Sequence, residues 1–293
     1  MSTKEKRRIG DRRDGKLLKN TDSMHQIMPL IYPNRCDNEA FILERIDLEN
    51  IDRFLAEKNA NDPAFKYTLF HLIVTAVIRV CTLRPKMNRF IANKNLYQRN
   101  EVSASFTIKK QFADDAGEGL AFIHATPDST LESIHEEIRR QVQENRGGKT
   151  DASTDAMDTF SKLPRPILKT AVAFIAWLER HGKAPKSLIE TDPYYSSVIL
   201  SNIGSIKLKA AYHHLTNWGT TSMFVAIGRI QKRPFYQDDG SYVMKNSVDL
   251  GLTIDERLAD GYYYSKTVRL LKYLLENPEL LEEPVSKEVD FDV

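Results

Sequence analysis

Hydrophobic and polar positions along the chain fall into short alternating runs and longer helical ones. Val102, Ala104, Phe106 and Ile108 alternate with Ser103, Ser105 and Thr107. That period of two marks a half-buried strand, and GLAFIHAT at 119–126 reads as its partner. FILERIDL at 41–48 is a further strand, leading into LENIDRFLAEKN, where Leu48, Ile51 and Leu55 recur at helical spacing. Residues 67–83, YTLFHLIVTAVIRVCTL, are apolar on nearly every side. With His71 and Arg79 inside and Arg84-Pro85 as a stop, they predict a buried core helix rather than a membrane span. Asp128, Ser129 and Thr130 offer caps for a helix near 130–145 that ends at Gly147-Gly148. After the polar loop GGKTDASTDAMD, a helix follows Pro166, and strands are expected at 196–202, 222–230 and 241–254. The last two would be joined by a turn at Asp238, Asp239 and Gly240. A final helix covers roughly 262–276, before Asn277-Pro278. Strands and helices mix without strict alternation, which predicts an α+β domain around a mixed central sheet flanked by helices.

Composition narrows the class. Among 293 residues, 41% are hydrophobic and 28% charged, enough apolar content to exclude a disordered chain. A net charge of +2 gives no basic excess for nucleic acid, so no nucleic-acid partner is expected. Cys36 and Cys81 are too few for a disulfide framework. No signal peptide or membrane-length apolar run is visible, so a soluble, cytoplasmic protein is expected. The charge is nonetheless split between the ends. Residues 1–20 carry +5 and residues 276–293 carry −6. Either these are solvated tails, or they dock on opposite charge, including that of a neighbouring subunit.

Three constellations could carry chemistry. TIDERLADG at 253–261 runs a strand into Asp255-Glu256-Arg257 and then Asp260-Gly261 at the mouth of the last helix. SNIGS at 201–205 ends another strand with small residues. Tyr212-His213-His214 contains a histidine pair, but with no further ligand at suitable spacing no metal is expected. Alone, each reads as an ordinary loop or turn.

Together, in the order SNIGS, FVAIGRIQKRP, LTIDERLADG, helix, LLENPELL, they resemble the catalytic domain of dihydrolipoamide acyltransferases. These are the core subunits of 2-oxoacid dehydrogenase complexes, of the chloramphenicol acetyltransferase-like superfamily. The resemblance covers roughly 37–145 and 196–281. It implies a basic N-terminal arm at 1–36, an acyltransferase-like domain at 37–281 with a helical insert at about 146–195, and an acidic tail at 282–293. It also implies a homotrimer, or a larger assembly, with active sites between subunits, and a coenzyme A or carrier thioester as acyl donor. Ser201 falls at the family's oxyanion-binding serine, with Asn202 and Gly204 keeping the turn. Asp255, Arg257, Asp260 and Gly261 match the structural parts of the second motif. The family's catalytic histidine, however, is here Glu256.

An imidazole is a competent base at neutral pH, whereas an ordinary carboxylate near ~4.3 is a weaker one by about 1.4 kcal/mol per pKa unit. Burial could raise such a carboxylate, and His213 or His214 is the alternative base. The 36 residues before the domain are expected to be too short for a lipoyl domain, and no lipoyl attachment site is seen. The insert carries ILKTAVAFIAWLERHGK, with Ile167, Leu168, Ala171, Val172, Ile175 and Leu178 on one broad face. Burial against the core or a neighbouring subunit is the expectation for it, and membrane-surface contact or a lid over a hydrophobic acyl chain is the less favoured alternative. Two functions follow. One is a stand-alone acyltransferase with Ser201 and Glu256 as catalytic residues. The other is a catalytically inactive relative serving as a trimeric scaffold or thioester-binding sensor.

Overall fold

The computed structural model describes residues 8–109, 118–147 and 159–291. Its first half contains β1 (Gly15–Leu17), α1 (Ser23–Ile31), β2 (Glu39–Asp47), α2 (Glu49–Lys58), α3 (Leu69–Leu83), β3 (Arg89–Ala92), β4 (Asn95–Arg99), β5 (Val102–Lys109), β6 (Glu118–Ala125) and α4 (Leu131–Arg146). The second half contains α5 (Arg165–Arg180), α6 (Lys186–Thr191), β7 (Val198–Ser201), β8 (Met223–Ile227), β9 (Gln231–Tyr236), β10 (Tyr242–Asp255) and α7 (Gly261–Glu276). The main sheet has the order β2-β10-β8-β7-β5-β6, with β9 added beside β10. The β5–β7 and β7–β8 pairs are parallel and the others antiparallel, so the sheet is mixed as expected.

The helix with apolar residues all round is α3, and it is buried because it lies under the sheet between α4 and α7. Ile73, Val77 and Val80 join Val198, Leu200, Val225, Leu252 and Leu271 in one apolar core. Arg79, in the same helix, is fully buried. Its guanidinium donates to the carbonyls of Leu280 and Lys287 (2.7 Å for the latter) and lies 3.6 Å from the Glu283 carboxylate. The acidic C-terminal segment therefore wraps this buried cation, with Val285 fully buried beside it, instead of trailing into solvent.

The basic N-terminal segment also folds back, where solvation was one expectation. β1 pairs with β4 in a small separate sheet. Arg12 is buried and bonds Asp14 (2.9 Å) and the Glu179 carboxylate (3.0 Å), tying the arm to α5. Residues 1–7 lie outside the described residues, as does most of the loop GGKTDASTDAMD.

Two further differences are local. The turn at 238–240 closes the β9–β10 hairpin rather than linking β8 to β10. β9 was hidden because Pro234 and its charged neighbours suit only a sheet margin. The β3–β4 hairpin turns at Asn93 (φ 46°) and Lys94 (φ 63°), a two-residue turn with both centres left-handed. Without a glycine there, the turn carries little sequence signal.

The insert helix α5 is only partly covered. Leu168, Ala171, Ile175 and Leu178 are half-buried, whereas Ile167, Val172, Phe174 and Trp177 stay exposed. No helix among the described residues is long and apolar enough to cross a membrane.

Candidate functional site

Ser201 is the last residue of β7, on the outer face of the sheet. It pairs with Ala226 of β8, which pairs with Gly251 of β10. Beyond it Asn202 accepts from the Ser205 backbone N–H (3.2 Å) and closes a tight turn. Gly204 is needed because a Cβ would sit 2.5 Å from the Gly228 carbonyl. The Ser201 hydroxyl makes no hydrogen bond among the described residues, and the residue, half-buried, lines the rim of a cavity of about 290 Å³.

That cavity is also lined by His71 at the start of α3. The Thr68 backbone N–H donates to His71 Nδ1 (3.0 Å), so the neutral ring carries its proton on Nε2, which has no partner among the described residues. Burial, reinforced by the His135 ring 4.7 Å away, pushes the His71 pKa down to about 4. An unfolded histidine near ~6.5 takes up a proton first as pH falls, so stability is lost from about pH 6.5 down to about pH 4. Denaturant unfolding should show up to about 3 kcal/mol less stability at the acid end. The slope between those pH values should shrink in His71→Gln.

The second motif is built from buried charge. Asp255 ends β10 with no exposure and accepts from the Arg257 backbone N–H (3.2 Å), Nε (2.8 Å) and Nη2 (2.6 Å). Arg257 in turn donates to the Tyr32 carbonyl (2.8 Å), and Arg35 Nε lies 3.8 Å from Asp255. Tyr264 donates to the Asp255 carbonyl (2.7 Å). Asp255 and Arg257 therefore lock the turn and do not face solvent. Arg35, which shares their charge, was not legible in the sequence because it sits 220 positions from Asp255 without a motif. Asp260 caps α7 by accepting from the Tyr263 backbone N–H (2.8 Å), which holds its carboxyl below the usual range. A Cβ on Gly261 would meet nothing within 4 Å.

Glu256 is held by its backbone, whose N–H donates to the Asn38 carbonyl (2.9 Å). Its side chain is exposed and makes no hydrogen bond or ion pair among the described residues. Within one chain it cannot meet Ser201. Two strand spacings and five residues of strand rise separate them, about 15–20 Å.

The histidine pair lies over the same face of the sheet as Ser201. His213 stacks on Phe224 (centroids 4.3 Å, 10°), whose partner across the parallel pair is Ile199, on the face that carries Ser201. Strand geometry puts Phe224 about 8 Å from Ser201. His213 Nδ1 lies 2.8 Å from the His214 carbonyl and His214 Nδ1 3.1 Å from that of Leu215. Those bonds place the protons on Nδ1 and leave each Nε2 lone pair without a hydrogen bond among the described residues. His25 differs, because both of its ring nitrogens face acceptors, Asp22 and the Leu258 carbonyl. The segment carrying the pair crosses the sheet at Gly251, where a Cβ would lie 2.1 Å from the Ala211 carbonyl. Gly251→Ala should displace it and cost about 1–3 kcal/mol, read by thermal unfolding. Among the described residues no group of three His, Cys, Asp or Glu could hold a metal ion.

Comparison with known proteins then adds the family pattern. Residues 180–282 match the family described as 2-oxoacid dehydrogenases acyltransferase (catalytic domain). The fold resembles a probable dihydrolipoamide acetyltransferase from Listeria monocytogenes, with TM-score 0.59, 16% identity, and 97% of this chain and 100% of that chain covered. It also resembles the dihydrolipoamide acetyltransferase of Azotobacter vinelandii (TM-score 0.59, 15% identity, 91% and 94% covered). A chloramphenicol acetyltransferase aligns at TM-score 0.53 and 11% identity, with 89% and 99% covered. Comparison with curated protein sequences finds no match. Residues 180–282 thus carry the pattern of the 2-oxoacid dehydrogenase acyltransferase catalytic domain, and the chain has the chloramphenicol acetyltransferase-like fold of those cores.

Proposed function

We propose that the protein is an acyltransferase that moves an acyl group from coenzyme A, or a carrier thioester, to a thiol, hydroxyl or amine. The observation that carries this reading is the placement of Ser201. Ser201 ends a central parallel strand at the rim of a cavity, and its hydroxyl, without a partner among the described residues, is free to donate to a tetrahedral oxyanion. Glu256 of a neighbouring copy is the base, removing the acceptor's proton as the acceptor attacks the thioester carbonyl. The thiolate of the donor then leaves. The separation of Ser201 and Glu256 within one chain supports a site shared between copies of a homotrimer. Exposed Met24, Ile27, Leu30 and Ile31 of α1, with the open face of α5, supply apolar surface for such an assembly.

The tautomer of His213 and its place on the Ser201 face favour a second reading, in which His213 is the base within one chain. Thiol release from a panel of acyl-coenzyme A donors separates them. Turnover lost in Glu256→Gln and kept in His213→Gln fits the shared site, and the reverse fits the second reading. No turnover with any acceptor, with activity appearing in Glu256→His, would identify the inactive scaffold instead.

A further inference from the structure

The cavity beside Ser201 lies between α3 and α4 and opens at the carboxyl ends of the parallel strands β5 and β7, the side of such sheets where ligands bind. Its inner wall is Phe65, Phe70, Phe106, Ile108, Ile138 and Val142, and its rim is polar, with Lys109, Asn202 and Ser205 beside Ser201. A wall of this kind under a rim of this kind fits a ligand with an apolar tail and a polar head. At about 290 Å³ it is at the small end of ligand sites, roomy for an aliphatic chain and tight for a nucleotide.

One polar group interrupts the apolar wall. His71 is only 4% exposed, and its Nε2–H has no partner among the described residues. Buried polar hydrogens are ordinarily bonded, and this one, like Nδ1 of His135 whose ring lies 4.7 Å away, is left without an acceptor among the described residues. The ring stays neutral at ordinary pH, so the wall offers a hydrogen bond and no charge. A neutral acyl group has the oxygen and the hydrocarbon that these two features require.

We propose that this cavity is an acyl-chain site, which selects a medium-length aliphatic acyl group over acetyl and holds its head at the Ser201 rim. The nature of the head rests on the acyl-transfer reading, whereas the fit of the chain does not. The probes are therefore 2-oxoalkyl thioethers of N-acetylcysteamine, in which a methylene between carbonyl and sulfur prevents transfer.

Calorimetric titration of the full chain with acyl parts of two to ten carbons should show Kd falling about fourfold for each added methylene until the cavity is full. Val142→Trp, at a half-buried lining position, should abolish that gain and leave the two-carbon probe unchanged. Ile138→Trp should do the same, with circular dichroism confirming its fold. Binding independent of chain length, or no binding of the eight-carbon probe, would overturn the proposal. Length-dependent binding without turnover of any coenzyme A thioester would leave the acyl-chain site standing and count against the acyltransferase reading.

Discussion

Ser201→Ala should lower kcat for acyl transfer by about 10²–10³-fold with little change in KM. A hydroxyl aimed at a developing oxyanion acts mainly in the transition state, and removing one such donor costs about 2.7–4 kcal/mol of barrier. Nothing else in the structure needs that hydroxyl, because it bonds no protein group among the described residues and stands only half-buried at the end of β7. Folding should therefore be unaffected. Thiol release at saturating donor, beside an unchanged melting temperature, is the measurement. A fall in both would mean that the serine is structural.

Asp255→Ala should produce the largest loss of stability of any single change near the site, about 3–5 kcal/mol. The substitution leaves the Arg257 guanidinium, 1% exposed, and Arg35, 5% exposed, without the carboxylate that faces both. Removing one partner of a buried ion pair is far more costly than never having built it, since the remaining charge stays away from water. The turn at Glu256 depends on the same carboxylate through the Arg257 backbone bond. Activity should therefore fall together with stability. Urea unfolding of Asp255→Ala and Asp255→Asn should show the amide, which keeps part of the hydrogen bonding, as the milder variant. Equal stability of both variants and wild type would remove the ion cluster from this account.

The sequence was most legible where one period ran uninterrupted. The alternation of Val102–Ile108 becomes β5, and the all-round apolar run at 67–83 becomes α3, because burial leaves those patterns no second solution. The motifs were legible as well, since Asn202, Gly204 and Asp260 each have a local bond or close approach that their residue type explains. What stayed hidden depends on distant partners. Arg12 reads as a solvated charge until Glu179 is brought to it across 167 positions. Arg79 stands in the apolar run at 67–83 with no partner in view until the C-terminal segment covers it. The distance between Ser201 and Glu256 is likewise set by sheet order, which the strings SNIGS and TIDERLADG do not contain.

That distance is also what makes the central claim testable. If one copy supplies Ser201 and the next supplies Glu256, two inactive variants can repair one another. Ser201→Ala and Glu256→Gln, each unfolded, mixed in equal amounts and refolded together, should regain roughly a quarter of the wild-type activity. In randomly mixed rings about one interface in four pairs an intact serine with an intact glutamate. Activity no greater than the sum of the separate variants, from a mixture confirmed to have exchanged subunits, would contradict a site shared between copies.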